Sequence, residues 1–472
     1  MKKWLILLWA IPIALRLSAQ QKFFEEPIGW HGKNIELHTI SDRGNLQHCL
    51  FLMNSDSVRV FLMDNNQTVV QRFYIPRTGG EDFMGGFIRD KKIYAFFQGG
   101  SGGSDLHGWT LDIVGGTSGD FNFPFAMKHE RAVEQINCGD HFLFFSVNRK
   151  ASQFTIYDFL DDKRCDTLSY QFEPKVWKAL TSVRGMWNRD MNVTEIDPDG
   201  ECSTEMAKTP NKIYWMKDTL FLLMNHYEKG VTTVFSFDIR GRQVGFRRIV
   251  HNNAQTLNPP LEDYVDNSML LDDKLYFVSA ESGKLNLQIR DFHSGRMVRE
   301  YTAKRDEDIA FKNSPIIQEG GAYSRHETRE LGKTRQLLRK MTDGSALIVA
   351  RREDSGRVGL TIGSYKKVTN NGYAAGYFAP VTAIGELAIV TYKGFTFFRG
   401  DWSKSARFKT LLDTTNYEHM NSDTDSEITE RVEDYTKDVS IPPAGENLFR
   451  NSGKYVYAYY NRDEHKLMLV NF

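Results

Sequence analysis

The chain has 472 residues, with 60 Lys and Arg against 60 Asp and Glu, 41% hydrophobic and 25% charged. This is an ordinary globular composition with ample apolar material for a core, and it excludes an intrinsically disordered chain. No block of Lys or Arg stands out, so nucleic acid is not an expected partner.

Residues 1–19 read as a secretory signal peptide. Lys2 and Lys3 open it, Trp4 to Leu15 is an apolar run, and Leu17-Ser18-Ala19 ends in small residues suited to cleavage before Gln20. An apolar run of about 12 residues is short of the ~20 needed to span a bilayer, so no membrane span is expected after cleavage. The mature chain is expected to be secreted or periplasmic. Removing Lys2, Lys3 and Arg16 leaves 57 basic against 60 acidic residues, a net charge of −3.

A β-hairpin pattern then repeats along the chain. Its clearest copy spans 267–302. A turn at Asp272-Asp273 leads into an apolar strand from Lys274 to Ala280, followed by a turn, a strand from Leu285 to Asp291, a second turn at His293-Ser294-Gly295 and a last strand. The Lys274–Ala280 strand is apolar on both faces, through Leu275 and Phe277 on one and Tyr276 and Val278 on the other. A strand of that kind is covered on both sides. Related strand pairs are expected at 48–64, 93–114, 138–158, 217–241, 346–362, 387–399 and 455–472, which with the reference unit makes eight.

This organisation resembles a β-propeller. The third-strand pattern at Asp291, Gly295 and Arg296, and at Asp238, Gly241 and Arg242, is similar to the outer strands of quinone-type propellers, and Ile93 to Gly100 is similar to a kelch repeat. The resemblance implies a closed ring of small four-stranded sheets. The Trp that ends a quinone-type repeat is replaced here by Arg299 and Gly245, so no quinone follows and no cofactor is expected. The fold class is therefore an all-β propeller over 20–472, with eight blades or, as the alternative, seven. The final strand set lacks its fourth member, which the N-terminus can supply from Lys22–Ile28 or Asn34–Ile40, removing an exposed sheet edge.

Three insertions, at 171–210, 303–341 and 412–445, interrupt the rhythm. Each is expected after a fourth strand, so all three should emerge on one face together with the Gly-rich loop from Gly99 to Gly108. Ligand-binding candidates on them are Trp177, Trp187, Arg189, Tyr323, Arg325 and His326, because exposed aromatics and planar cations stack on sugars and peptide side chains. Glu327 to Met341 is predicted as one amphipathic helix. The acidic third insertion reads as a solvated loop. Asp197 to Glu201 reads as a plain turn.

Of the four cysteines, Cys138 and Cys165 are expected to form a disulfide across one strand pair, and the absence of a Cys-x-x-Cys spacing argues against a metal site. No nucleophile elbow, zinc-protease motif or phosphate loop occurs. The sequence therefore favours an exported propeller that binds or scaffolds a protein or glycan on its loop-bearing face. The alternative is a glycan-active hydrolase or lyase with acidic residues near the central channel.

Overall fold

The computed structural model describes residues 20–472, apart from 33, 43, 45, 78–80, 100–105, 126, 128, 182–192, 198–201, 252–262, 321–327, 354–355, 368–402 and 438–442. Short hairpins dominate it because the turns are chemically fixed. Asp90-Lys91, Lys217-Asp218 and Asp272-Asp273 each place two successive residues at positive φ, between 49° and 63°. This is the two-residue turn whose twist matches antiparallel strands. The Asp that ends many third strands closes the next turn. Asp291 Oδ1 accepts from the Ser294 N–H at 2.9 Å and its hydroxyl at 2.7 Å, and Asp238 Oδ1 accepts from Gly241 N–H at 2.8 Å. Gly295 stands at φ +70°, where a side chain is disfavoured. Hydrogen bonds from Ser294 hold Asp291 well below the usual carboxylate range. The motif that suggested a propeller is thus turn chemistry.

The strands in chain order are β1 (Gln21–Pro27); β2 (Glu36–Ser41), β3 (Gln47–Met53), β4 (Ser57–Asp64) and β5 (Val69–Pro76); β6 (Asp82–Arg89), β7 (Lys92–Gln98), β8 (Leu106–Asp112) and β9 (Ser118–Phe123); β10 (Arg131–Cys138), β11 (His141–Asn148), β12 (Gln153–Phe159) and β13 (Cys165–Gln171). There follow β14 (Val193–Glu195), β15 (Asn211–Met216), β16 (Thr219–Glu228), β17 (Val231–Asp238) and β18 (Gln243–Val250); β19 (Val265–Leu271), β20 (Lys274–Ala280), β21 (Lys284–Asp291) and β22 (Met297–Lys304). Last come β23 (Ile316–Glu319), β24 (Thr328–Leu331), β25 (Ser345–Glu353), β26 (Arg357–Lys367) and β27 (Ser403–Asp413); and β28 (Ala444–Asn451), β29 (Lys454–Asn461) and β30 (Lys466–Asn471). The described helices are α1 (Pro174–Thr181), α2 (Thr204–Ala207), α3 (Thr334–Thr342) and α4 (Ile428–Thr436).

Among the described residues these strands form seven sheets, blades I to VII, which is the alternative count. The eighth pair, expected at 387–399, lies outside the described residues. It falls between β26 and β27, which are hydrogen-bonded neighbours in blade VI from Arg357↔Asp413 to Lys367↔Ser403. In blades I to V the first strand in chain order is innermost, and in blades VI and VII the innermost strands are β25 and β28. β2 packs beside β28 and β6, β10 beside β6 and β14, and β19 beside β25. Apolar clusters fill the spaces between blades: one joins I to II, one II to III, one III to IV, one runs through IV, V and VI, and one joins VII to I. The outermost strands alternate exposed and covered residues, as in β5 and β18. This is the arrangement of a β-propeller.

β1 pairs antiparallel with β30, from Gln21↔Asn471 to Pro27↔Lys466, and supplies the outer strand of blade VII. The first of the two N-terminal segments therefore closes the ring. The second, at 34–40, leads into and begins the inner strand of blade I.

Blade VI corrects the expected insertions. Its outer strand comes from the segment that precedes its inner one, since β23 pairs with β27 at Ile317↔Arg407 to Glu319↔Ser405. Farther along β27, Met420 N–H donates to Leu411 O at 2.9 Å. Asn313 bridges the two pieces, accepting from Leu411 N–H at 2.8 Å and donating to Met420 O at 2.6 Å. The third insertion thus follows a third strand and leaves from the opposite rim to the other two. The helix expected at 327–341 begins only at Thr334, because 328–331 pairs with β23 as β24. Leu337, Leu338 and Met341 bury its apolar face.

The acidic third insertion is folded over its described residues up to Lys437, where a solvated loop was expected. Ile428 and Val432 of α4 pack against Tyr457 and Tyr459 of blade VII. Glu430 pairs with Lys409 at 2.8 Å, and Glu427 accepts from Thr361 at 2.6 Å.

All four cysteines are free thiols, so the expected Cys138–Cys165 disulfide is absent. Cys138 ends the inner strand of blade III and Cys165 begins its outer strand, with β11 and β12 between. Three strand spacings amount to roughly 14 Å, twice the reach of a disulfide.

Candidate functional site

Of the six candidate ligand-binding residues, only Trp177 is described. It sits on α1, half-buried against the core between blades III and IV, with its ring 6.3 Å from that of Phe172. It therefore packs the insertion onto the barrel of blades. Trp187, Arg189, Tyr323, Arg325 and His326 lie outside the described residues, as do Asp199 to Glu201 and residues 1–19.

The most chemically loaded described region lies where the inner strands of blades I and II begin, on the rim where β7 ends and β8 starts. Arg77, just after β5, is fixed there with only 7% of its side chain exposed. Its guanidinium donates to Asn54 O at 2.7 Å and to the Glu81 carbonyl at 2.9 Å, and approaches Glu36 Oε1 at 3.6 Å. Glu36 opens β2 and lies 3.3 Å from His38 Nε2. Glu81 lies 3.2 Å from His107 Nδ1, on β8. Asp82 opens β6 beside them. Burial, reinforced by Glu36, pushes the Asp82 carboxyl upward.

Three carboxylates, two imidazoles and one guanidinium thus share a small area, with Glu36 the most open, its side chain 37% exposed. Burial would raise Glu36, but His38 and Arg77 outweigh it and hold the group below its ordinary range. A base of fixed charge with one solvent-facing carboxylate suits recognition of a cationic group. The sequence signal was an acid at the first position of an inner strand, which has no distinguishing spacing.

A second set of acids lies between blades III and IV. Glu134 of β10 is buried, and Glu195 ends β14, the short strand added parallel to β15. Burial first, and then the Glu134 charge, raise Glu195 well above the carboxylate range. Between IV and V, Lys212 of β15 is fully covered. It donates to Thr209 O at 2.7 Å and Asn267 Oδ1 at 2.5 Å, and burial lowers it to about 7. Among the described residues no three His, Cys, Asp or Glu side chains converge as metal ligands.

No family model matches the chain, and no curated protein does. Among solved structures, the β-propeller domain of the Trilobed protease from Pyrococcus furiosus aligns with TM-score 0.35 at 9% identity, covering 93% of each chain. The WD40 domain of SCAP from fission yeast gives 0.33 at 9% identity, covering 96% of this chain and 98% of that one. An oligogalacturonate lyase in complex with manganese gives 0.34 at 7% identity, covering 95% and 97%. Likenesses this distant carry no argument about ligand or chemistry; the propeller assignment rests on the sheet topology.

Proposed function

We propose that this chain is an exported β-propeller that binds a partner protein or glycan at the mouth of blades I and II. The observation that carries this reading is the Arg77-anchored group of Glu36, Glu81, Asp82, His38 and His107 on a loop-bearing rim. The complementary ligand group is cationic: a Lys or Arg side chain, or the amine of an amino sugar. Trp187, Arg189, Tyr323, Arg325 and His326 are candidate further contacts for the same ligand. Export rests on residues 1–19, and N-terminal sequencing of the protein from its source should begin at Gln20. The double variant Glu36→Gln/Glu81→Gln tests the binding reading. Capture of partners from the extracellular or periplasmic fraction, and glycan-array signal, should fall about tenfold or more, and more so at low salt. Identical profiles for variant and parent would refute it.

A second reading, hydrolysis or lysis of a glycan, is favoured by one observation. Burial first, and then the neighbouring Glu134 charge, raise the Glu195 carboxyl well above its ordinary value, the environment that suits a general acid. Purified protein assayed on a polysaccharide panel should then release product, and Glu195→Gln should abolish release. An inactive parent protein removes this reading.

A further inference from the structure

We propose that His31 and His465 form a two-histidine site for a late divalent transition metal, Cu²⁺ ahead of Ni²⁺ and Zn²⁺, placed across the seam where the ring closes. The site is independent of the ligand reading at the mouth of blades I and II.

The two residues come from opposite ends of the chain. His31 lies on the connector between β1, the outer strand of blade VII, and β2, the inner strand of blade I. His465 is the last residue of the turn between β29 and β30. Their rings stand with centroids 4.2 Å apart. His31 is exposed and His465 half-buried, so solvent ions reach the pair directly. The backbone around them is held. Ile28 N–H and Gly29 N–H both donate to His465 O, at 2.9 and 3.1 Å. Asn461 Oδ1 accepts from Asp463 N–H at 2.9 Å and Glu464 N–H at 3.1 Å, which fixes the turn that carries His465.

One hydrogen bond settles which nitrogen of His465 is available. Nδ1 lies 3.1 Å from the Trp30 carbonyl oxygen. A carbonyl has no proton to give, so Nδ1 carries the hydrogen and donates it, and the neutral ring keeps its lone pair on Nε2. A ring N–H donated to a backbone carbonyl is the support that metal-ligating histidines ordinarily have. The carbonyl is itself fixed, since the Tyr460 hydroxyl donates to it at 2.6 Å. The Trp30 ring also lies 5.6 Å from the Arg59 guanidinium.

The spacing selects the metal. An ion about 2.0–2.1 Å from each nitrogen stands roughly 3.2 Å from each ring centre, which puts the two centres about 4.5 Å apart at a right angle and about 5.2 Å apart at the tetrahedral angle. The observed 4.2 Å is nearer the right-angled pair. That is the tetragonal arrangement of Cu²⁺ and Ni²⁺, whereas Zn²⁺ takes the tetrahedral one, and Cu²⁺ also leads in intrinsic affinity for imidazole. His31, exposed and on a connector that includes Gly29 and Gly32, turns its ring to meet the ion that His465 Nε2 binds. Among the described residues no third His, Cys, Asp or Glu joins them, so water completes the coordination. In the unfolded chain the two rings are far apart, so the ion favours the closed ring by mass action.

The test strips the untagged protein with a chelator and titrates it with Cu²⁺, Ni²⁺ and Zn²⁺ by calorimetry, with melting temperature followed in parallel. One Cu²⁺ should bind, more tightly than Ni²⁺ or Zn²⁺, and its electron paramagnetic resonance spectrum should show two imidazole nitrogens. The melting temperature should rise with free Cu²⁺. His31→Ala and His465→Asn should each weaken binding about tenfold or more and remove the rise. Asn tolerates the φ of +56° at position 465 and keeps an N–H donor for Trp30 O, so its effect reports the missing ring nitrogen. If His465→Asn does not fold, His31→Ala, at an exposed position, carries the test. His293→Gln, which removes an exposed histidine of blade V, should leave Cu²⁺ affinity unchanged. Absence of Cu²⁺ binding, full affinity in folded His31→Ala, or binding with no rise in melting temperature would overturn the proposal.

Discussion

Lys212 makes the fold pay a pH-dependent cost that one substitution should expose. Its amine is completely covered and meets only neutral oxygens, and burial lowers it from 10.5 to about 7. Below about pH 7 both folded and unfolded chains carry the charge. Between about 7 and 10.5 the fold has released the proton while the unfolded chain retains it. The unfolded chain then binds more protons, so stability rises with pH across that window. A span of 3.5 pH units from 10.5 to about 7, at 1.36 kcal/mol each, is about 5 kcal/mol. Lys212→Met removes that dependence and also two hydrogen bonds. Asn267 Oδ1 keeps donors in Ser268 N–H at 2.8 Å and Asn225 Nδ2 at 3.3 Å, so Thr209 O alone loses its partner, at about 1–3 kcal/mol. The variant should therefore be more stable than the parent by about 2–4 kcal/mol near pH 6 and less stable by about 0–2 near pH 10. Urea denaturation of both proteins across that range reads the difference directly. A difference curve that is flat with pH would refute the reasoning, whatever its sign.

Arg351 lies between the buried carboxylates of Glu353, at 2.8 Å, and Glu427, at 3.8 Å, and also holds the Asp425 carbonyl. Arg351→Met should cost about 3–5 kcal/mol in denaturation and lower hydrogen-exchange protection in α4, because the buried Glu353 carboxylate loses the guanidinium at 2.8 Å and Glu427 loses one of its three cationic neighbours. Burial would raise Glu427, but Arg407, the Thr361 hydroxyl, Lys409 and Arg351 together hold it below its ordinary value. Its share of stability is therefore present at neutral pH and lost on acidification through its depressed value, an acid limb that Glu427→Gln should flatten in a melting-temperature titration. Thiol titration of the denatured, unreduced protein should find four free groups per chain, and reductant should leave the melting temperature unchanged; two free groups would contradict the fold. Deleting 20–27 uncovers the β30 edge and the packing of Phe23 and Phe24. It should cost about 3 kcal/mol and promote self-association, measured by melting and by light scattering.

What could be read from the chain and what could not divide along local and non-local lines. Turn chemistry is local, so the Asp272-Asp273 hairpin and the Asp291–Gly295 turn announced strands at their true places. A strand apolar on both faces announced stacked sheets. The closing strand was legible as a missing partner at the C-terminus. The blade count was not, because the pair expected at 387–399 falls within the interval separating two strands of one blade. Blade VI also takes its outer strand from both sides of its inner strands, with Asn313 as the joint. No residue near Asn313 signals that Met420, more than a hundred positions later, will lie beside it.

The axial mouth was hidden for a related reason. Glu36, Arg77, Glu81, Asp82 and His107 come from four separate pieces of chain, and each looks unremarkable where it stands. The ring brings them together because neighbouring inner strands start at the same rim. A propeller gathers strand-initial residues of different blades around one axis, so polar groups that no motif links can still form one surface. Inner-strand starts that carry acids or amides, where apolar residues would pack better, are therefore where ligand contact should be sought. In this chain Glu36 and Asp82 open the inner strands of blades I and II, and substitution of Glu36 tests whether ligand contact is made there.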